Sequence, residues 1–339
     1  MWVARSIALV LLVASCGQPT APAGNSTPAA ATCRLPVWWG EPESISPQFI
    51  HAAFIEVPSG KVTDVGRLPA PPVTFLDPMN DSSQLNSAAY FNATRTWLRL
   101  NRTELSPDGR QLAYWTYAQP NPKAYELHVA TLATADDRVV YRSNTDVYIP
   151  MAFETDAVYL GHYVLSPTPN DWVVDRLYRL KLAGGSLELV PGSERHLLPG
   201  WQLVADGAAW GVEWHQDLHR WSVMRLDLAS HVISDWFDSP RDASDVVTQG
   251  VDAQHRLYVA YPDHLVRVES PGHAAEFATD RPPLFAGSPG LPPVFASDTR
   301  GVWLAGFGGV RFYPPSGGKS TLYLAGQSDG PVYPAGPCA

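Results

Sequence analysis

The stretch LSPDGRQLAYW, residues 105–115, consists of two apolar runs on either side of a turn that is centred on Asp108. Four later stretches repeat this form, and each carries Tyr or Trp after the turn: FETDAVYLGHY at 153–163, VADGAAWGVEW at 204–214, VDAQHRLYVAY at 251–261 and ASDTRGVWLAGF at 296–307. Their aspartates are Asp156, Asp206, Asp252 and Asp298, and the successive spacings from Asp108 are 48, 50, 46 and 46 residues. A fixed period of this length is typical of β-propeller blades, each of which is a four-stranded unit.

The repeat therefore predicts an all-β fold, a β-propeller of six blades. A weaker first repeat, turning at Ser59 and Gly60, spans about 48 to 100 and ends with residues 96–100 as its last strand. Irregular turn signals between 66 and 93 leave five or seven blades open. Residues 33–39 and 331–338 are left over at the termini, and we expect them to join one blade and close the ring.

Composition agrees with a single large β domain and excludes some partners. The 339 residues are 45% hydrophobic and 17% charged, and 32 prolines and 26 glycines supply frequent turns. The net charge of -9, without a cluster of Lys or Arg, disfavours nucleic acid as a partner.

The first residues of the chain indicate export. Residues 1–15 contain one cation, Arg5, and then an apolar run that is too short to span a bilayer. The sequence Val13-Ala14-Ser15-Cys16 resembles the lipobox of bacterial lipoproteins, which implies that Cys16 carries the lipid and anchors the protein to a membrane. An ordinary cleaved signal with a chance cysteine is the alternative.

Residues 16–32 form a tether, since after Cys16 they hold small residues, Pro and Thr but no charge and no large side chain. The folded domain is expected to span residues 33–339. Cys33 and Cys338 lie at its two ends, where closure of the ring would bring them together in an oxidising compartment. We predict a Cys33–Cys338 disulfide, and two free thiols are the alternative.

The turn Ser106-Pro107-Asp108-Gly109 resembles the repeat of TolB-type propellers, which carry Ser-Pro-Asp-Gly between the first two strands of a blade. The resemblance implies the architecture over about residues 48 to 325 and says nothing of partner binding. The five repeated aspartates are interpreted as turn-forming residues that cap backbone N–H groups, not as catalytic acids.

Ligand binding is expected on the face that gathers the loops between the second and third strands of each blade and the loops from the fourth strand to the next blade, by analogy with other propellers. These loops hold aromatic, His and Asp side chains that could form an aromatic floor with polar edges. The candidate ligand-binding residues are Asp171, Trp172, Trp214, His215, Asp217, His219 and His264. Packing of the Trp side chains between blades is the alternative. His215 and His219 lack the Glu of a zinc protease motif, so no metal site is predicted.

No complete catalytic set is present, and the sequence indicates no cofactor. We therefore expect an extracytoplasmic lipid-anchored monomer in the cell envelope that works as a binding or scaffold module for an envelope protein or a carbohydrate. The alternative is a propeller-type lyase or glycoside hydrolase with an acid and a base at the channel mouth. For this enzyme alternative, the densest cluster of titratable residues in a predicted loop between blades is Glu194, Arg195 and His196.

Overall fold

The structure, a computed structural model, divides the chain into two units, Met1–Ala31 and Thr32–Ala339. It describes residues 32–40, 50–69, 87–100, 102–117, 124–134, 136–165, 172–194, 199–240, 246–261, 263–278, 295–325 and 330–339. Regular structure in this part of the chain is β-strand, apart from a 3-10 helix at Arg102–Glu104, which confirms the all-β class. No helix of the described residues is long and apolar enough to cross a membrane.

The strands of the first half are short and are separated mostly by tight turns. They are β1 (Cys33–Gly40), β2 (Ile50–Val57), β3 (Val62–Leu68), β4 (Ala89–Phe91), β5 (Thr96–Leu98), β6 (Gln111–Tyr117), β7 (Tyr125–Thr131), β8 (Asp136–Ser143), β9 (Val147–Phe153), β10 (Ala157–Leu165), β11 (Trp172–Lys181) and β12 (Leu187–Leu189).

The second half continues in the same manner. Its strands are β13 (Pro199–Ala205), β14 (Ala208–His215), β15 (Arg220–Asp227), β16 (Ile233–Asp238), β17 (Val247–Val251), β18 (Leu257–Ala260), β19 (Leu265–Ser270), β20 (His273–Ala278), β21 (Phe295–Asp298), β22 (Gly301–Phe307), β23 (Gly309–Tyr313), β24 (Thr321–Leu324) and β25 (Pro331–Pro334).

Successive strands pair antiparallel in four-stranded units, as propeller blades do. These units are β9 to β12, β13 to β16, β17 to β20, β21 to β24, and β25 with β1 to β3. A parallel pairing of β11 with β13 joins the first two units into one eight-stranded sheet, and a pairing of β22 with β25 joins the last two. Strands β6 to β8 form a three-stranded sheet, and an isolated bridge between Leu105 and Leu112 adds a further segment beside β6. The aspartate repeat of the sequence therefore marks the turn between the first and second strands of a unit.

Two properties of the repeat favour these hairpins. Its apolar residues pack against neighbouring units, and its turns contain residues such as glycine that accept a positive φ. Gly109 has a φ of 69°, a conformation that glycine adopts without the steric cost of a Cβ. Its α-carbon also lies close to Phe91, since a Cβ there would come within 3.1 Å of the Phe91 ring. The Ser-Pro-Asp-Gly turn is thus fixed both by its own chemistry and by its packing.

Apolar clusters pack each unit against the next one along the chain. One cluster packs β6 and β7 against β9 to β11, and the following one, which includes the fully buried Trp201, packs β9 to β11 against β13 to β15. Further clusters join β14 and β15 to β18 and β19, and then β18 to β20 to β22 and β23. Burial of these sheet faces between units is the main favourable contribution to folding.

The two ends of the described chain meet in one sheet. Strand β25 lies between β1 and β22, pairing Val37 with Pro334 on one side and Gly306 with Val332 on the other. The predicted disulfide is present between Cys33 and Cys338, whose Cα atoms are 5.7 Å apart. A cluster that contains both cysteines and Trp303 packs β1 and β2 against β22 and β23.

Strands β4 and β5 depart from the sequence prediction. Residues 96–100 were expected to end the first blade, but Thr96–Leu98 pairs only with β4 among the described strands, in a separate two-stranded sheet. Phe54 of β2 contacts Tyr90 and Trp97 of this hairpin, and Phe91 packs with Leu112 on its other side. The hairpin thus lies between the unit of β1 to β3 and that of β6 to β8.

Candidate functional site

A cavity of about 590 Å³ lies where the first strands of the units end. Its lining comes from segments far apart in the sequence: Ala88 and Phe91, Arg102 to Pro107 except Glu104, Met151–Phe153, Leu203–Ala205, Gln249–Val251, Phe295–Ser297 and Pro334–Pro337. Because β9, β13, β17 and β21 each contribute their last residues, the cavity is built by the fold as a whole. It is also within the size range of small-molecule sites.

The aspartate turns lie at the same end of the units as the cavity. Asp156, Asp206 and Asp252 each follow a lining segment within four residues, and Asp298 directly follows Ser297. The loops between second and third strands leave from the other end of these hairpins. The cavity is thus at the opposite end from the loops that the sequence favours as a binding surface.

The cavity lining is mostly apolar and carries one charged group. Arg102 is the lining residue with a charge, and no Asp, Glu, His or Lys is among the described lining residues. The guanidinium carbon of Arg102 lies 5.3 Å from the centroid of the Phe91 ring. Burial lowers the pKa of Arg102 from its ordinary value, although the side chain remains accessible from the cavity. Thr103, Ser106, Gln249 and Ser297 add polar side chains to the lining.

Three of the repeated aspartates accept backbone hydrogen bonds within their turns. Asp108 accepts one from the N–H of Arg110 at 3.0 Å, and Asp298 accepts one from Arg300 at 2.7 Å. Asp252 accepts from the N–H groups of Gln254 and Arg256 at 2.9 and 3.0 Å. These contacts are those of Asx turns, in which the side chain satisfies backbone donors.

The other two repeated aspartates bind side chains instead. Asp156 accepts a hydrogen bond of 3.1 Å from Arg179, which reaches across from β11. Asp206 contacts Nδ1 of His255, so that the turn of one unit is tied to the turn of the next. Equal positions in the repeat therefore have different physical roles.

The hairpin of β14 and β15 brings several of the predicted ligand-binding residues together. The Trp214 ring lies 4.9 Å from Trp221 and 6.3 Å from His219, measured between centroids. His215 lies 3.8 Å from the carboxylate of Glu213, and Asp217 is exposed in the turn. Trp221 packs against the apolar cluster beneath the hairpin, which is the alternative role foreseen for these aromatic residues.

The remaining predicted binding residues lie in other loops. His264 stacks on Tyr261 at 4.3 Å and contacts the carboxylate of Asp263 at 2.6 Å. Asp171 lies outside the described residues, and so does the side chain of Trp172 at the start of β11. The binding role of this surface stays a prediction.

A titratable cluster that the sequence did not indicate lies on β10 and β11. His162 Nδ1 is 2.6 Å from Asp175 Oδ1, and its Nε2 is 3.5 Å from Asp146. The hydrogen bond with Asp175 raises the pKa of His162. Burial raises the pKa of Asp175, but the hydrogen bonds from His162 and Arg176 outweigh it and lower that pKa overall. The cluster is a satisfied network within one sheet.

The described residues contain no group of three or more His, Cys, Asp or Glu side chains that could hold a metal ion. Of the titratable group considered for an enzyme, Glu194 is exposed in a turn, while Arg195 and His196 lie outside the described residues. Sequence reasoning missed the cavity and Arg102. No local signal marks them, because the lining comes from segments far apart in the sequence.

Comparisons with known proteins give similarities of low identity. No family model matches the sequence, and no curated protein matches it. TolB from Acinetobacter baumannii has a TM-score of 0.47 at 10% identity, over 90% of this chain and 67% of TolB. A putative 6-phosphogluconolactonase from Bacteroides fragilis has a TM-score of 0.47 at 12% identity, over 91% of this chain and 98% of the other.

An oligogalacturonate lyase in complex with manganese has a TM-score of 0.39 at 12% identity, over 76% of this chain and 70% of the lyase. The names of these three similar proteins do not describe one common function. Identities and TM-scores this low transfer no activity, metal or substrate to the chain, so its function has to be argued from its own residues.

Proposed function

We propose that residues 33–339 form a six-bladed β-propeller whose ring is closed by the two termini, with the β4–β5 hairpin inserted between the first and second blades. The unbroken succession of apolar clusters supports a ring, since each unit packs on the next. Clusters on the two faces of the hairpin join it to both neighbouring units. The position of β25 between β1 and β22, together with the Cys33–Cys338 disulfide, supports closure there.

The protein is a lipoprotein of the cell envelope in this proposal, anchored through Cys16 and acting as a monomer outside the cytoplasm. The disulfide supports an oxidising compartment, because cytosolic thiols are kept reduced. Cys16 lies outside the described residues, so the anchor rests on the lipobox resemblance.

The Cys16→Ala variant is expected to leave the membrane fraction and appear in the soluble fraction of the envelope. The variant lacks the acyl chains that Cys16 would carry, and stable membrane anchoring needs two or more such chains. Fractionation with immunoblotting measures the distribution, and Ser59→Ala, in the exposed turn between β2 and β3, is the control that leaves residues 1–31 and the disulfide unchanged. A Cys16→Ala protein that stays in the membrane fraction would contradict the anchor.

The function that the geometry supports best is that of a binding module whose ligand lies in the cavity at the end of the first strands. The observation that carries this proposal is the cavity of about 590 Å³ with a mostly apolar lining from segments throughout the chain. A mostly apolar pocket with few polar groups is typical of small-molecule binding. It suits a ligand with an apolar body better than the carbohydrate considered from the sequence, whose hydroxyl groups need many polar partners.

Ala205→Trp is expected to abolish binding in the cavity without unfolding the protein. Ala205 is a half-buried lining residue at the end of β13, so an indole there occupies ligand space instead of the packed core. The probe is 1-naphthamide, a neutral aromatic amide, titrated calorimetrically into the purified full-length protein in detergent, with a titration into detergent alone subtracted. Ala229→Trp, in the exposed turn between β15 and β16, is the matched control.

The double variant Trp214→Ala/His219→Ala separates this cavity from the loops at the opposite end. If the ligand lies in the cavity, this variant binds 1-naphthamide as the unaltered protein does. Binding that survives Ala205→Trp but is lost in the double variant would place the site at the loops and overturn the proposal.

A further inference from the structure

The charge of the cavity lining is opposite in sign to that of the protein. The chain has a net charge of -9, yet the one charged residue among the described lining residues is a cation, Arg102. We propose that the cavity binds a small organic carboxylate, with the carboxylate at Arg102 and an apolar body against the strand ends. This inference rests on the proposed binding function and adds the chemical class of the ligand.

Arg102 contacts two neighbouring residues of the cavity lining. Its guanidinium carbon lies 5.3 Å from the centroid of the Phe91 ring, and Nη1 lies 3.1 Å from the position that a Cβ on Gly336 would take. No carboxylate forms an ion pair with Arg102 among the described residues. A guanidinium remains charged under all ordinary conditions and presents a planar set of donors.

This arrangement favours an anion from the ligand. Arg102 has an exposed side chain and contacts Phe91, and partial burial lowers its pKa. A carboxylate can pair with such a guanidinium through two parallel charge-assisted hydrogen bonds. Contact with Phe91 fixes the plane of the guanidinium in advance, so little side-chain freedom is lost on binding.

The rest of the lining sets the size and character of the ligand. Met151, Phe153, Leu203, Val204 and Phe295 present apolar groups from three different strands. A volume of about 590 Å³ accommodates a ligand on the scale of an aromatic carboxylate. A single cation suits one negative charge, whereas a phosphate group with two charges would call for further donors, and Thr103 and Ser106 add only neutral hydroxyls.

The test compares two probes of equal shape, 1-naphthoate and 1-naphthamide, by calorimetric titration into the purified full-length protein. We expect 1-naphthoate to bind at least about tenfold more tightly, since hydrogen bonds to charged groups are stronger than those between neutral groups. In Arg102→Gln this preference is expected to fall to less than about twofold. Arg138→Gln, which removes an exposed cation on β8, is the matched control and should keep the preference.

The outcomes separate this inference from the proposed function. Equal affinity of the unaltered protein for both probes would overturn the carboxylate assignment, even if Ala205→Trp still abolished binding and so supported the cavity. Absence of binding by either probe would overturn both. Tighter binding of 1-naphthyl phosphate than of 1-naphthoate would replace the carboxylate with a phosphate ligand. The probe comparison on the unaltered protein decides the matter even if Arg102→Gln does not fold.

Discussion

Removal of the Cys33–Cys338 disulfide is expected to lower the free energy of unfolding by about 4 kcal/mol. The bridge closes a loop with a sequence separation of 305 residues, so the unfolded chain gains much conformational freedom when it is removed. Both cysteines are buried in the cluster that packs β1 and β2 against β22 and β23. The double variant Cys33→Ala/Cys338→Ala keeps this environment apolar, and urea unfolding followed by tryptophan fluorescence measures the change.

Reduction of the unaltered protein supplies the control for this variant. Dithiothreitol should destabilise the unaltered protein to about the level of the double alanine variant and should have no effect on the variant itself. A loss smaller than about 1 kcal/mol would mean that the pairing of β25 with β1 and β22 holds the chain ends together without the covalent bond. The N–H of Cys338 also donates to Asp298 at 3.1 Å, and Arg34 and Ala339 exchange backbone hydrogen bonds of 2.8 and 3.0 Å, so these contacts would act with that pairing.

Asp252→Ala is expected to destabilise the fold by about 3 kcal/mol, more than a change at any other repeated aspartate. Its side chain is 2% exposed and accepts hydrogen bonds from Arg256 Nε at 2.8 Å and from the buried hydroxyl of Tyr258 at 2.9 Å. Removing the carboxylate leaves a guanidinium and a phenol without their acceptor in a buried site. Urea unfolding of the variant beside the unaltered protein measures the loss.

The pH dependence of this contribution has a definite sign. Burial raises the pKa of Asp252, but the hydrogen bonds from Arg256 and Tyr258 outweigh burial and hold that pKa below its ordinary value. The stabilisation is therefore complete above the ordinary carboxyl pKa of about 4 and is lost as the pH falls through the lower pKa of the folded state. The difference in unfolding free energy between the two proteins should shrink over that interval.

Asp156→Ala is the matched control, because Asp156 occupies the same place in the repeat. Its side chain is 75% exposed and pairs with Arg179 at the surface, where an ion pair contributes less than about 1 kcal/mol. If the two alanine variants were equally stable, the buried network of Asp252 would not carry the energy assigned to it here.

Local sequence signals were sufficient to predict the strands that are joined to the next strand by a tight hairpin turn. The turn at Asp108 and its four repeats gave the boundaries between first and second strands, because turn chemistry and alternation act over a few residues. The stretch between β3 and β4 lacks such signals. The packing of the β4–β5 hairpin depends on contacts of Phe54 with Tyr90 and Trp97, which lie more than thirty residues further along the chain, and no local pattern encodes these contacts.

The candidate site was harder to predict for the same reason. Arg102 and Gly336 lie side by side in the structure but more than two hundred residues apart in the sequence, and only the assembled units bring them together. Trp214, His215 and His219 were identifiable because they are close in sequence and share one hairpin. Residues with conspicuous chemistry in a short segment are easy to find, whereas a cavity made of ordinary apolar residues is visible only in three dimensions.

The place of β25 between β1 and β22 also constrains how the protein is made. A growing chain that has not yet reached residue 331 leaves one edge of β1 and one edge of β22 without the strand that pairs with them. Unpaired strand edges of this kind invite pairing with other chains. Biosynthesis thus has an aggregation-prone interval that lasts until the final strand emerges, and a chaperone that shields strand edges would act during that interval.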